Sequence, residues 1–123
     1  MNIGKQGEKI AVEYFLNHGF NILHTNYRSR YGEIDIICEN NLFLVFAEVK
    51  SKLSISCSYL SERVNNSKKV KIAKTVCKYL LENHTEKQPR IDVIEVELFK
   101  SFNKINHIEN AFEVNIELFG SSL

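Results

Sequence analysis

Two apolar runs, Ile34 to Cys38 and Leu42 to Ala47, flank Asn40-Asn41, and no other stretch limits the fold as strongly. Runs rich in Ile, Val and Phe around such a turn read as a β-hairpin. With a two-residue loop at Asn40-Asn41, residue 39 faces 42, 35 faces 46 and 33 faces 48, because side chains alternate with period two. One face then carries Ile34, Ile36, Cys38, Phe43, Val45, Ala47 and Val49 and is wholly apolar. The other carries Ile37, Leu42, Leu44 and Phe46 near the turn, but Glu33, Asp35, Glu48 and Lys50 at the open end. Three carboxylates and one ammonium therefore crowd one corner of a sheet otherwise suited to burial on both faces. On a diagonal offset, Asp35 and Glu48 are expected roughly 7 Å apart at Cβ, close enough to grip one cation together.

The elements around the hairpin follow from periodicity. Residues 5 to 18 are expected as a helix, with Ile10, Ala11, Tyr14 and Phe15 at helical spacing and Gly19 as its stop. Glu8 falls on or beside the buried arc of that helix. There it either favours the helix dipole or belongs to a site. Phe20 to Leu23 reads as a short strand, followed by a polar loop, residues 24 to 31, in which Arg28 and Arg30 alternate with Tyr27 and Tyr31. Arg clamps phosphates and Tyr stacks on bases, so the loop is either a nucleic-acid contact or a solvated turn whose rings fold back onto the sheet. A polar excursion is expected after Lys50, through Ser51-Lys52-Leu53 to Arg63. A second helix, Ser67 to Asn83, has Ile72, Ala73, Val76, Cys77, Leu80 and Leu81 on one side and Lys68, Lys69, Lys71, Lys74 and Lys78 on the other. Lysines in a first turn oppose the helix dipole, which a docked anion would relieve; the alternative is a solvated charged face. Pro89 closes a polar linker before a strand from Ile91 to Phe99, with further strands expected at Lys104 to Glu109 and Phe112 to Phe119. This order implies an α/β or α+β sheet with a helix on each face.

At 123 residues the chain is expected to form a single domain. Sixteen Lys and Arg against fifteen Asp and Glu leave a charge of +1, which excludes a uniformly basic coat, so an anionic partner must be drawn by a local patch. The absence of a long apolar run or a signal-like N-terminus implies a cytoplasmic protein without a membrane partner. Cys38, Cys57 and Cys77 share no disulfide or zinc spacing, and Cys38 and Cys77 are read as small buried residues. His18, His24, His84 and His107 form no ligand spacing and are expected on the surface or in loops.

Asp35, twelve residues, then Glu48-x-Lys50 is the spacing of the PD-(D/E)XK nuclease signature. Two hard oxygen ligands can hold Mg²⁺ or Mn²⁺, and Lys50 can orient or help deprotonate an attacking water. Gly4-x-x-Gly7-Glu8, Asn26-Tyr27-Arg28, Gly32-Glu33-Ile34-Asp35, Phe46-Ala47-Glu48-Val49-Lys50, Lys68 and Arg90-Ile91-Asp92-Val93 together resemble the YraN family of small bacterial proteins. That family is similar to Holliday-junction resolvases of the restriction-endonuclease-like superfamily. The resemblance covers roughly residues 4 to 112 and leaves the tail from 113 outside it. It implies a central mixed sheet flanked by helices on both faces, and a metal site at Asp35, Glu48 and the Val49 carbonyl with Glu8 nearby. Ile34 replaces the proline of the superfamily signature. Ser51-Lys52 stands where the family pattern has an aromatic or polar residue followed by Arg, which keeps the charge without the bidentate fork.

Three functions are compatible with these residues. The first is a metal-dependent nuclease acting on DNA, branched forms included, with Asp35, Glu48, Lys50 and Glu8 as its machinery. The second is a catalytically silent nucleic-acid-binding module using Arg28, Arg30, Lys52 and Lys68. The third is a buried ion cluster without a ligand, ranked last because the carboxylates outnumber the lysine. A homodimer suits the first, since cutting both strands of a junction takes two sites.

Overall fold

The computed structural model describes residues 2–54 and 66–113. Helix α1, Ile3–Asn17, starts where the Asn2 side chain accepts the Lys5 N–H at 3.0 Å, satisfying one of the unpaired donors of the first turn. It ends where Gly19, at φ +83°, lets the Phe20 N–H return to the Phe15 carbonyl at 3.0 Å. The strands are β1, Asn21–Arg28, β2, Glu33–Glu39, β3, Phe43–Leu53, β4, Gln88–Leu98, and β5, Asn103–Ile108; helix α2, Asn66–Glu82, joins β3 to β4. The five strands lie side by side in chain order, antiparallel except for β3 and β4, whose parallel pairing requires the α2 crossover.

Each face of the sheet is covered by one helix, as expected. On one side Ala11 and Phe15 of α1 pack on Ile36, Cys38, Val45, Ala47, Ile94 and Val96. On the other, Ile72, Val76 and Tyr79 of α2 pack on Ile37, Leu44, Phe46, Ile91 and Val93. The central strands are therefore buried on both faces, which explains their nearly continuous apolar runs. Gly7 lets α1 approach β3 closely, since a Cβ there would fall 1.8 Å from Ser51 Oγ. Cys38 and Cys77 are buried free thiols, and burial pushes Cys38 up to about 12.

Several expectations are corrected. The hairpin turn is longer than two residues: Asn40 Oδ1 accepts the Leu42 and Phe43 N–H groups, and residue 39 pairs with 44 rather than 42. The asparagine side chain builds a wider turn than its neighbour alone implied. A slip of two preserves the parity of every side chain, so both faces survive it. Ile34 is the exception, because it packs with Ile37 toward α2, and the alternation breaks at Asp35, beyond the last β2–β3 pair at Ile36–Ala47. β1 continues through Arg28, so most of the expected polar loop is strand held by pairing to β2. β3 runs on to Leu53 along β4, and the rest of the expected excursion, from residue 55 to Arg63, lies outside the described residues, as does Cys57. β4 begins at Gln88 and takes Pro89 into the sheet. Leu81 is 63% exposed, on the outer side of α2 rather than in the core. Phe112 and Glu113 are not in a strand, and the remainder of the expected last strand lies outside the described residues.

Candidate active site at an acidic sheet corner

Asp35 and Glu48 each lie one residue beyond Ile36–Ala47, the last pair of the β2–β3 ladder at this end. In place of a ladder bond, Asp35 Oδ2 accepts the Val49 N–H at 2.8 Å. The N–H of Val49 is thus engaged at the corner; its carbonyl is the group that the resemblance implies as a ligand. Burial, then the charge of Glu48, raise Asp35 from 3.8 to about 7; the Val49 bond opposes them, and Glu8 and Glu33 add to the rise. Glu8 and Glu33 reach the corner from α1 and β2, and Asn26 Nδ2 donates to both, at 3.0 and 3.1 Å. Asn26 adopts φ 52°, a conformation that asparagine tolerates better than most residues.

Positive charge approaches from the other side. Glu48 is buried, and Lys68 Nζ of α2 closes on its Oε1. Lys50 is also buried; desolvation lowers its pKa, Glu95 and Glu48 oppose the fall, and Lys68 adds to it. The corner opens into a hollow of about 460 Å³ lined by Gly32, Glu33, Asp35, Glu48, Ser67, Lys68, Lys71 and Ile72. Among the described residues no three His, Cys, Asp or Glu side chains form a metal-holding group. The donor set is a carboxylate pair with Glu8 and Glu33 in its field. That suits Mg²⁺, which commonly takes one or two carboxylates and completes its shell with water and phosphate oxygens.

The expected basic contacts are dispersed. Arg28, on the edge strand, pairs with Glu33 at 3.3 Å. Arg30 lies beside Tyr31, with its guanidinium carbon 4.9 Å from the ring centroid. Lys52 lies 3.9 Å from Glu97, its side chain 16% exposed, and so is held against β4. Tyr27 folds inward against Tyr79 at 5.3 Å.

A second polar cluster contradicts the reading of His107 as a surface residue. His107 Nε2 meets Asp92 Oδ2 at 2.6 Å and its Nδ1 meets Tyr14 Oη at 2.9 Å. Arg90 binds both oxygens of Asp92 at 2.9 Å, and the Asn110 N–H adds a bond at 3.0 Å. Asp92 is wholly inaccessible. Burial pulls its pKa upward, but His107, Arg90 and Asn110 prevail and hold it below the ordinary value. The available signal was an aspartate on the inward face of β4, in line with Ile94 and Val96.

A family model described as "Uncharacterised protein family UPF0102" matches residues 7–96. A UPF0102 protein of Alkaliphilus oremlandii is 47% identical over 113 residues, covering 89% of this chain and 97% of its own. One of Persephonella marina is 46% identical, covering 91% and 94%, and one of Clostridioides difficile is 44% identical, covering 89% and 95%.

Proposed function

The chain belongs to the UPF0102 family, the YraN family of the motifs above, and from that premise we propose that it is a divalent-metal-dependent nuclease hydrolysing DNA phosphodiesters, branched DNA among them. The observation that carries the reading is the Asp35–Glu48 pair on adjacent strands at the mouth of an open hollow, where burial and then the charge of Glu48 raise Asp35 to about 7. A divalent ion supplies what the corner lacks. Asp35 and Glu48 would hold Mg²⁺ or Mn²⁺, with Glu8 alongside, and the ion when bound would act as a Lewis acid on a phosphoryl oxygen.

The chain's own groups fill the other roles. Lys50, with its proton affinity reduced by burial, is suited to orient or deprotonate the attacking water. Lys68, 45% exposed in its side chain, can exchange its hold on Glu48 for a substrate phosphate. Lys71 lines the same hollow. The near-neutral charge of the whole chain leaves attraction for a polyanion to local patches such as this one.

Two contacts favour a binding module without turnover: Lys68 already caps Glu48, and the Val49 N–H already occupies Asp35. A screen of linear, flapped and four-way DNA with Mg²⁺ or Mn²⁺ separates the two. The nuclease reading expects cleavage that disappears without metal and in Glu48→Ala. Intact DNA throughout, with salt-sensitive binding retained, supports the silent module instead.

A further inference from the structure

We propose that Tyr31 is a stacking platform for one base of a single DNA strand, which runs from the acidic corner along the lysine ridge of α2. The inference takes the polymer and its direction from the proposed function. The platform itself stands on separate observations.

The first is rigidity. The turn from Ser29 to Gly32 is closed by the Ser29 N–H on the Gly32 carbonyl at 2.8 Å, and Ser29 Oγ accepts the Tyr31 N–H at 3.0 Å. The same oxygen meets Thr75 Oγ1 of α2 at 2.9 Å, and Thr75 in turn donates to the Lys71 carbonyl. Gly32 fits closely against the helix, since a Cβ there would lie 3.4 Å from Lys71 Cβ. A short loop is thereby fastened to α2 at a buried hydroxyl, and the ring it carries is placed before any ligand arrives.

The second is chemistry. Beside Tyr31 lies a hollow of about 420 Å³ lined by Arg30, Tyr31, Lys78, Leu81 and Glu82. Leu81, one of the large exposed apolar residues, gives it an apolar wall. Arg30 and Lys74 both approach the tyrosine ring, at 4.9 and 5.7 Å from its centroid. Among the described residues lining the hollow, Glu82 is the one carboxylate and is paired with Lys78 at 2.7 Å, so their balance is positive. A flat ring with an apolar wall and cations on long, adaptable stems suits a nucleobase with its phosphates. A base inside a duplex has both faces covered and cannot use such a ring, which selects a single strand.

The third is spacing. The corner's hollow reaches Lys68 and Lys71, and the tyrosine hollow reaches Lys78, on the same helix. Tyr31 lies four residues before Asp35, a reach of at most about 14 Å of chain, and a stacked strand advances about 3.4 Å per nucleotide, so the platform lies within about four nucleotides of the corner.

The test is fluorescence anisotropy in EDTA, where nothing is cut, using a labelled 12-nucleotide single strand and a blunt 12-base-pair duplex. Wild type should prefer the single strand. Tyr31→Ala should weaken single-strand binding about fivefold or more, while Tyr31→Phe, which keeps the ring, should bind like wild type. Lys74→Gln should flatten the logarithmic salt dependence by about 0.7. Thermal melting of Tyr31→Ala checks that its fold is retained. Preference for the duplex, no binding of the single strand, or Tyr31→Ala within twofold of wild type overturns the platform. Adding Mg²⁺ tests the nuclease reading separately: Tyr31-dependent binding without cleavage removes that reading alone, and cleavage with Tyr31-independent binding removes the platform alone.

Discussion

Replacing Asp35 with Asn should stabilise the protein, by an amount that depends on pH. Asparagine keeps an oxygen for the Val49 N–H and discards the charge that Glu48, Glu8 and Glu33 oppose. Below the ordinary aspartate range, the side chain is neutral in folded and unfolded chains alike. Above about 7 it is ionised in both, and the folded chain alone bears the burial and repulsion. Between these limits the folded chain holds a proton that the unfolded chain has released, so wild-type stability falls as pH rises from about 4 to about 7. A rise from 3.8 to about 7 corresponds, at about 1.4 kcal/mol per pH unit, to a ceiling of about 4 kcal/mol. Urea unfolding in EDTA should therefore find Asp35→Asn more stable by roughly 2 to 4 kcal/mol at pH 8. The gap should narrow by about 2 to 3 kcal/mol at pH 5, where folded wild type already carries the proton. In thermal melts the pH 8 advantage amounts to roughly 10 °C for a domain of this size. A gap equal at both pH values, or an Asn variant less stable at pH 8, would refute the argument that uncompensated charge dominates this corner.

Other perturbations test other parts of the structure. Asp92→Asn leaves Arg90 and His107 without their shared buried anion and should cost about 3 to 5 kcal/mol in urea unfolding. Because Asp92 is held below its ordinary value, its stabilisation is complete above that value and is lost as pH falls through the folded one, so the variant should lose part of the wild-type acid-unfolding transition. Gly7→Ala drives a methyl into Ser51 and should cost about 1 to 3 kcal/mol, with Ser51→Gly in the same chain recovering most of it; no recovery would place the strain elsewhere. Lys68→Ala removes the cation capping Glu48 and should bind Mn²⁺ more tightly by calorimetry while binding DNA more weakly. Equal changes in both affinities would contradict the exchange proposed for this lysine.

Much of the fold was legible because its strands are buried on both faces and its helices on one. Periodicity located both helices within about two residues, and Gly19 stopped α1 where a positive φ was needed. The acidic corner was legible for a related reason: Glu33, Asp35, Glu48 and Lys50 break runs that are otherwise apolar. The hairpin register was not, since the Asn40 side chain caps a longer turn that local composition does not distinguish from a two-residue one. Parity rescued the faces from that error. The extent of β1 was missed because an edge strand exposes polar residues and resembles a loop until pairing to β2 is known. The His107–Asp92–Tyr14 network escaped because its members come from three elements, and a lone histidine carries no sign of a partner fifteen residues away. Spacing alone places Leu81 in the core, whereas the structure turns it toward the hollow beside Tyr31.

Calorimetric titration of Mn²⁺ into metal-free wild type and Asp35→Asn at pH 8 tests the central claim most directly. One ion bound per chain by wild type, with binding lost or weakened at least tenfold in the variant, is the expected result. Wild type that takes up no ion, or a variant that binds it equally well, would contradict the assignment of Asp35 and Glu48 as the seat of a divalent cation.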